Sequence, residues 1–333
     1  MRKTLPLKIL SLLLSLAIVV YGLTVAPSKI NANNFHPKDS AKIILKICQV
    51  DTFEGGTGSR KQFILRLARD FERQNVGVLI SVNSLTADNY NSQKDEYDLV
   101  SYGIGLEVDS AVPIDAENFY NSGVIDDKVY ALPWALGGYY IFSRQPLNSD
   151  TALEDVVVSQ NDYSSPFVAL SLSGYALENY QIKAPVDAYA DFITGQKDYL
   201  VGTHRDINRI IARGEDCYIT PLDGFSDLIQ YVSVTTSDKE KSFYAQKFAN
   251  YLANEGQTKL TNIGMFSPYK NGIYSDGLLS IGEKINITST YHAFVSGELV
   301  KQINGAFKNS AQIDENKKQI KKLLVYLDKK YRI

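Results

Sequence analysis

The stretch DTFEGGTGSRKQFILRLARDFERQN (Asp51–Asn75) opens as a glycine-rich loop and turns into a helix. Ile64, Leu67, Ala68 and Phe71 recur at i, i+3, i+4 and i+7, the spacing of one buried helix face. Ser59 is a good N-cap, and Gln62 three residues on completes an S-x-x-Q capping box. Asn75 and Gly77 end the helix. A continuous apolar run, KIILKICQV (Lys42–Val50), precedes the loop and reads as a buried strand. VLISV (Val78–Val82) follows as a second strand. Strand, loop, helix and strand in that order make a unit with parallel strands, so the fold class is α/β.

The glycines do not spell a nucleotide site. A P-loop needs a glycine five positions after Gly55, where Arg60 stands. A dinucleotide fingerprint running from Gly56 and Gly58 needs a third glycine where Lys61 stands. What remains is a helix start with free N–H groups, a partial positive charge and glycines that let a ligand approach the backbone. In open parallel sheets ligands bind beyond the carboxyl ends of the strands, where this loop lies. A plain strand-to-helix turn is the competing reading.

Outward from this unit the pattern continues. YDLVSY (Tyr97–Tyr102) is a third strand. KVYALPWALGGYYIFS (Lys128–Ser143) reads as two strands broken near Pro133, Gly137 and Gly138. PVDAYADFITGQKDYLVGT gives a helix, a turn at Gly195 and a strand, and DCYITPL and LIQYVSVT are two more strands. In the helix of SDKEKSFYAQKFANYLANEGQTKL, Ser237 and Glu240 form a capping box; Tyr244, Phe248, Tyr251 and Leu252 make the apolar face. The lysine-rich stretch from Asn316 to Lys330 is an amphipathic helix with a solvated face.

At the N-terminus, Arg2, Lys3 and Lys8 precede an apolar run from Ile9 to Ala26. A basic start before such a run is an export signal. The chain is therefore expected to be exported, with residues 1–32 either a cleaved signal peptide or a retained membrane anchor, and 33–41 a polar linker. Beyond residue 40 the length suits two domains. With 44% hydrophobic and 22% charged residues and a net charge of −2, a packed core is expected and a nucleic-acid partner is not. Cys48 and Cys217 read as small buried residues, since two cysteines make no disulfide framework.

Five segments in this order resemble bacterial extracellular solute-binding proteins, the substrate-capturing components of ABC importers, and most of all their sugar-binding branch (family 1). They are FEGGTGSRKQFILRLARDFERQN, YDLVSYG, VYALPWALGGYYIFSR, DFITGQKDYLVGTHRDINRI and AQKFANYLANEGQTKLTNIGMFSP. The resemblance implies a type II periplasmic-binding-protein-like clamshell: two α/β lobes, a hinge and a ligand in the cleft between them. Residues 42–132 and 228–270 would form lobe 1, and 133–227 and 271–333 lobe 2. It implies a small-molecule solute, with sugar favoured, and ABC permease subunits as partners. It also implies a monomer, membrane contact only through the N-terminal segment, and no cofactor, metal or catalysis.

A sugar is held by aromatic faces and by planar polar side chains that pair with its hydroxyls. On the implied clamshell the candidates are Glu54, Gly58, Ser59 and Arg60 from the first loop, and Asp98 and Tyr102 from the third strand. Trp134, the only tryptophan, and Tyr139 lie at the first crossing between lobes; Arg205 and Asp206 follow the YLVGT strand; Asp223 and Tyr231 lie near the second crossing. Three rivals stay open. GGTGSR at a helix start would suit phosphate or another oxyanion, with Arg60 as counter-ion. A membrane-tethered sensor could use the same clamshell to signal. An exported enzyme could use His204 within THRD, although neither G-x-S-x-G nor H-E-x-x-H occurs. No metal-ligand cluster is visible.

Overall fold

The computed structural model describes residues 42–51, 58–116, 119–147, 152–269, 284–308 and 313–331, together with Ser15, Tyr21 and Ser280. The signal or anchor, the linker and Glu54 thus lie almost entirely outside the described residues. Among those described, no helix is long and apolar enough to cross a membrane.

Two five-stranded sheets organise the chain. In the first, β1 (Ile43–Val50) pairs in parallel with β2 (Val78–Leu85) and β3 (Leu99–Gly103). The order is completed by β12 (Ile229–Val234) and β6 (Leu132–Leu136), giving β2-β1-β3-β12-β6. Helix α1 (Arg60–Gln74) buries Phe63, Ile64, Leu67, Ala68 and Phe71, the face its spacing predicts, against β2 and α6 (Lys239–Asn254). A short helix, α2 (Ala87–Gln93), caps the end of β2. A two-stranded hairpin of β4 (Val124–Ile125) and β5 (Lys128–Val129) precedes β6.

The second sheet has the order β11-β7-β10-β8-β9. Its strands are β7 (Tyr139–Ser143), β8 (Val156–Ser159), β9 (Tyr180–Lys183), β10 (Tyr199–Thr203) and β11 (Tyr218–Pro221). Helix α4 (Pro185–Ile193) packs on β8 and β10, and α5 (His204–Arg213) springs directly from β10. Helices α3 (Pro166–Ser173), α7 (Gly297–Ala306) and α8 (Ile313–Lys330) complete the described helices, α8 lying on α3.

Two local expectations shift. Pro133 does not break its segment: it lies inside β6, an edge strand where a missing N–H leaves no gap in the ladder, opposite a bulge between Gln230 and Tyr231. The chain leaves the first sheet at Gly137–Gly138 instead. The cap of α6 is Asp238, whose Oδ1 accepts from the Lys241 N–H at 2.9 Å, not Ser237. A carboxylate accepts more strongly than a hydroxyl at the positive end of a helix, so the helix starts one residue later.

Most of the core is apolar in two clusters. One fills the space between the first sheet, α1 and α6. The other runs from Val50, Tyr102, Ile104 and Leu106 at the carboxyl ends of the first sheet into the second sheet and α7. Cys48 and Cys217 are unpaired thiols. Burial pushes them up to about 12 and about 11, so neither is a reactive thiolate near neutral pH.

Candidate functional site

The carboxyl ends of β1 and β10 each lead into a helix start. At the first, Gly58 takes a positive φ of 70°, and the Ser59 hydroxyl accepts from the Gln62 N–H at 3.3 Å. Arg60 follows half-buried, and the first turn of α1 carries no acid.

At the second, Thr203 caps α5 in a full capping box: its hydroxyl accepts from the Arg205 N–H at 3.3 Å, and Asp206 Oδ2 accepts from the Thr203 N–H at 3.0 Å. Asp206 Oδ1 also takes the Arg209 guanidinium at 2.9 Å. His204, between cap and box, is fully buried against the chain crossing. Its N–H donates to the Gly138 carbonyl at 3.0 Å, and its Nδ1 accepts from the Gly138 N–H at 3.3 Å. The ring packs edge-on to Phe266 at 6.0 Å. A Cβ on Gly137 would fall inside that ring, so only glycine fits there. Burial, then the positive charge of Arg60, pushes His204 down to about 3, which keeps the imidazole neutral.

Gly58, Ser59, Arg60 and Arg205 are the sequence candidates that cluster around these starts. Asp206 joins them in position, but its carboxylate is consumed by the cap and by Arg209, which also removes THRD as acid–base machinery.

The remaining candidates lie elsewhere. Trp134 is fully buried in the first core, stacked on Phe63 with centroids 5.5 Å apart and planes 13° from parallel. Its Nε1 donates to Ser101 Oγ at 3.0 Å, and Ser101 donates to Gln49 Oε1 at 2.8 Å, a polar chain across the sheet. A stacking platform needs an open face, and Trp134 has none. Tyr102 and Tyr231 are likewise fully buried, bonded to Ser233 at 3.0 Å and Ser122 at 2.8 Å. Asp98 accepts from the Lys46 N–H at 2.9 Å and pairs with Lys241 at 3.2 Å, tying β1 to α6. Tyr139 and its neighbour Tyr140 are both buried, because β7 is an interior strand covered on both faces. Asp223 is exposed and accepts from the Asn286 N–H at 2.8 Å.

Sequence reading missed two groups. One is His204 as a structural partner of Gly137–Gly138; a histidine immediately after a strand, with a cap before it and a box acid after it, is its local signal. The other is Asp227, buried, whose Oδ1 accepts from the Tyr139 hydroxyl at 2.6 Å. A cavity of about 640 Å³ lined by Ser122, Thr288, Thr290, His292, Leu324 and Val325 among others contains none of the candidates, so it is a separate feature.

Two five-stranded α/β sheets, between which the chain passes at Gly137–Gly138 and near Asp227–Leu228, make a two-lobe fold of the type II periplasmic-binding-protein kind. Solved structures bear this out. The galacto-N-biose/lacto-N-biose I-binding protein of an ABC transporter from Bifidobacterium longum shares 11% identity at a TM-score of 0.54, over 88% of this chain and 99% of that one. The GacH receptor of Streptomyces glaucescens, solved unliganded and with acarbose, shares 11% at 0.52, over 85% and 98%. The maltose-maltodextrin-binding protein of Alicyclobacillus acidocaldarius shares 12% at 0.51, over 84% and 100%. At such identities the likeness is one of fold. No protein-family profile matches the chain, and no curated protein matches its sequence.

Proposed function

We propose that this chain is an exported solute-binding protein that captures a small carbohydrate between two lobes and hands it to an ABC permease. Lobe 1 comprises residues 42–132 and 228–270, and lobe 2 residues 133–227 and 271–333. Closure follows ligand because the closed form binds it better, which shifts the population. The observation that carries this reading is the fold itself: two α/β sheets, in which the strands β1 and β10 each lead into a capped helix start. It supports a cleft at the carboxyl ends of the strands, where open α/β sheets bind ligands. The carbohydrate class draws support from the sugars named for the neighbouring structures. The protein works as a monomer, without catalysis or cofactor, and the N-terminal segment is its only membrane element.

A thermal-shift screen of the full chain tests the reading with mono- and oligosaccharides, inorganic phosphate and amino acids. A solute at one hundred times its Kd should stabilise the fold by about 2.7 kcal/mol. A saccharide hit supports capture of sugar. Stabilisation by amino acids or free phosphate alone overturns the carbohydrate assignment, and a folded protein that no solute stabilises overturns solute capture.

A further inference from the structure

We infer that the cavity between segments 119–122 and 287–292 and the C-terminal half of α8 is a second binding site. It takes a neutral ring that carries several hydroxyls, a sugar or a cyclitol. This goes beyond solute capture at the carboxyl ends of the strands, because none of the residues placed there lines the cavity.

Three segments distant in the chain build the walls, and each is tied down. The Ser122 carbonyl accepts from the Ala293 N–H at 2.7 Å. His292 Nε2 lies 3.1 Å from the Val124 carbonyl, which can only accept, so the ring nitrogen donates there. The His292 ring stacks on Tyr331, with centroids 4.0 Å apart and planes 6° from parallel, and the Tyr331 hydroxyl donates to the Phe294 carbonyl at 3.1 Å. The end of α8 is thereby held to the segment 287–292. The volume, about 640 Å³, falls within the range of roughly 300–1,000 Å³ usual for small-molecule sites. Walls fixed before binding spare a ligand the cost of ordering them.

The lining selects the ligand. Phe119 is 45% exposed, so it offers the open ring face that Trp134 lacks, and Val325, 56% exposed, extends the apolar wall. The Thr288 and Ser289 hydroxyls both donate to the Gly224 carbonyl, at 3.1 Å and 2.6 Å. Their protons are committed, which leaves lone pairs for a ligand to use. Asn121 is exposed, and its amide can both give and take a hydrogen bond. Among the described residues of the lining none is lysine or arginine, and the one acid, Asp328, already has a partner within the protein. An oxyanion would meet acceptors with no cation beside them, and an amine would find no spare charge. A wholly apolar ligand would strip these polar groups of water and replace none of it. A hydroxylated ring answers both kinds of wall: its C–H face lies on Phe119, and its hydroxyls donate to Thr288, Ser289 and Asn121.

The test uses the full chain with Phe119→Trp, which keeps an aromatic face and sets an indole at the cavity, while the native Trp134 stays dry. Emission is followed on titration with glucose, galactose, maltose and myo-inositol, and with glucuronate and glucosamine as charged counterparts. At least one neutral ring should change the emission saturably, with a Kd below about 1 mM. Asn121→Ala and Val325→Phe, each added to Phe119→Trp, should weaken that ligand by about tenfold, the first by removing a polar partner and the second by filling space. No saturable change with any neutral ring, tighter binding of glucuronate or glucosamine than of every neutral ring, or binding that neither added substitution weakens overturns the inference. A saccharide that stabilises the wild type in the thermal-shift screen while this indole stays silent leaves capture at the strand ends standing and removes the second site. If Phe119→Trp fails to fold by circular dichroism, isothermal titration of the wild type, Asn121→Ala and Val325→Phe with the same ligands decides by the same criteria.

Discussion

Replacing Asp227 by asparagine should stabilise this protein above pH 6 and do little at pH 4. Asp227 lies at the second crossing, buried, with its Oδ1 receiving the Tyr139 hydroxyl at 2.6 Å; that hydroxyl in turn accepts from the Ser165 N–H at 2.6 Å. Burial pushes the carboxyl up from 3.8 to about 6, against the downward pull of the hydrogen bonds from Tyr139 and Ser165. The folded state therefore prefers the protonated form more than the unfolded chain does. The contribution to stability is fully present below about pH 4 and is lost as pH rises through about 6. A displacement of about two pH units corresponds to about 3 kcal/mol. Asparagine cannot ionise, yet its Oδ1 still accepts from Tyr139. At pH 8 the variant should gain up to about 3 kcal/mol over the wild type, and at pH 4 the two should coincide. Urea unfolding followed by circular dichroism at both pH values measures this; the midpoint should move at pH 8 with the slope unchanged. A variant destabilised equally at both pH values would refute the reasoning, because the carboxyl would then act through geometry that an amide cannot reproduce.

His204 should titrate in the opposite sense. With its value pushed from 6.5 to about 3, the ring's contribution is present above about pH 6.5 and is lost as pH falls, about 2 kcal/mol between pH 6.5 and 4.5. Urea midpoints in the Asp227→Asn background isolate that loss, which His204→Asn should flatten; an unchanged slope against pH would place the dependence elsewhere. Trp134→Ala should cost about 3–5 kcal/mol, from the cavity beside Phe63 and the lost bond to Ser101, measured by the same unfolding. A loss below about 1 kcal/mol would mean that the ring is not packed as described. Gly137→Ala should lower the melting temperature more than Gly195→Ala, since the first methyl meets the His204 ring and the second, at φ 75°, meets open space and costs about 1–2 kcal/mol of backbone strain. Equal losses would remove the steric role of Gly137.

What could be read in the sequence was what is local. The spacing of Ile64, Leu67, Ala68 and Phe71 and the cap at Ser59 are decided within one turn of chain, and the α1 start lies where they place it. The strands are legible for the same reason, but their partners are not. That β12 inserts between β3 and β6 joins segments distant in the chain, Ile229 with Leu136 and Val234 with Leu99, and it makes Pro133 harmless by putting it on an edge. The aromatic candidates failed to converge for a related reason. Period-two alternation distinguishes a wet face from a dry one, and strands such as β6 and β7 are dry on both, so Trp134, Tyr139 and Tyr231 carried no mark of which way they faced. His204 was visible as a residue; its role depends on an approach to Gly138 across 66 positions, which no local pattern encodes.

The burial of Trp134 has an optical consequence. It is the chain's single indole, dry and stacked on Phe63 in the first turn of α1, within the first sheet's core. Its emission should be that of an indole shielded from water, shifted to the blue, and should redden only when that sheet comes apart. The protein thus carries one built-in lamp, set against the first turn of α1, that lights up the melting of the first sheet.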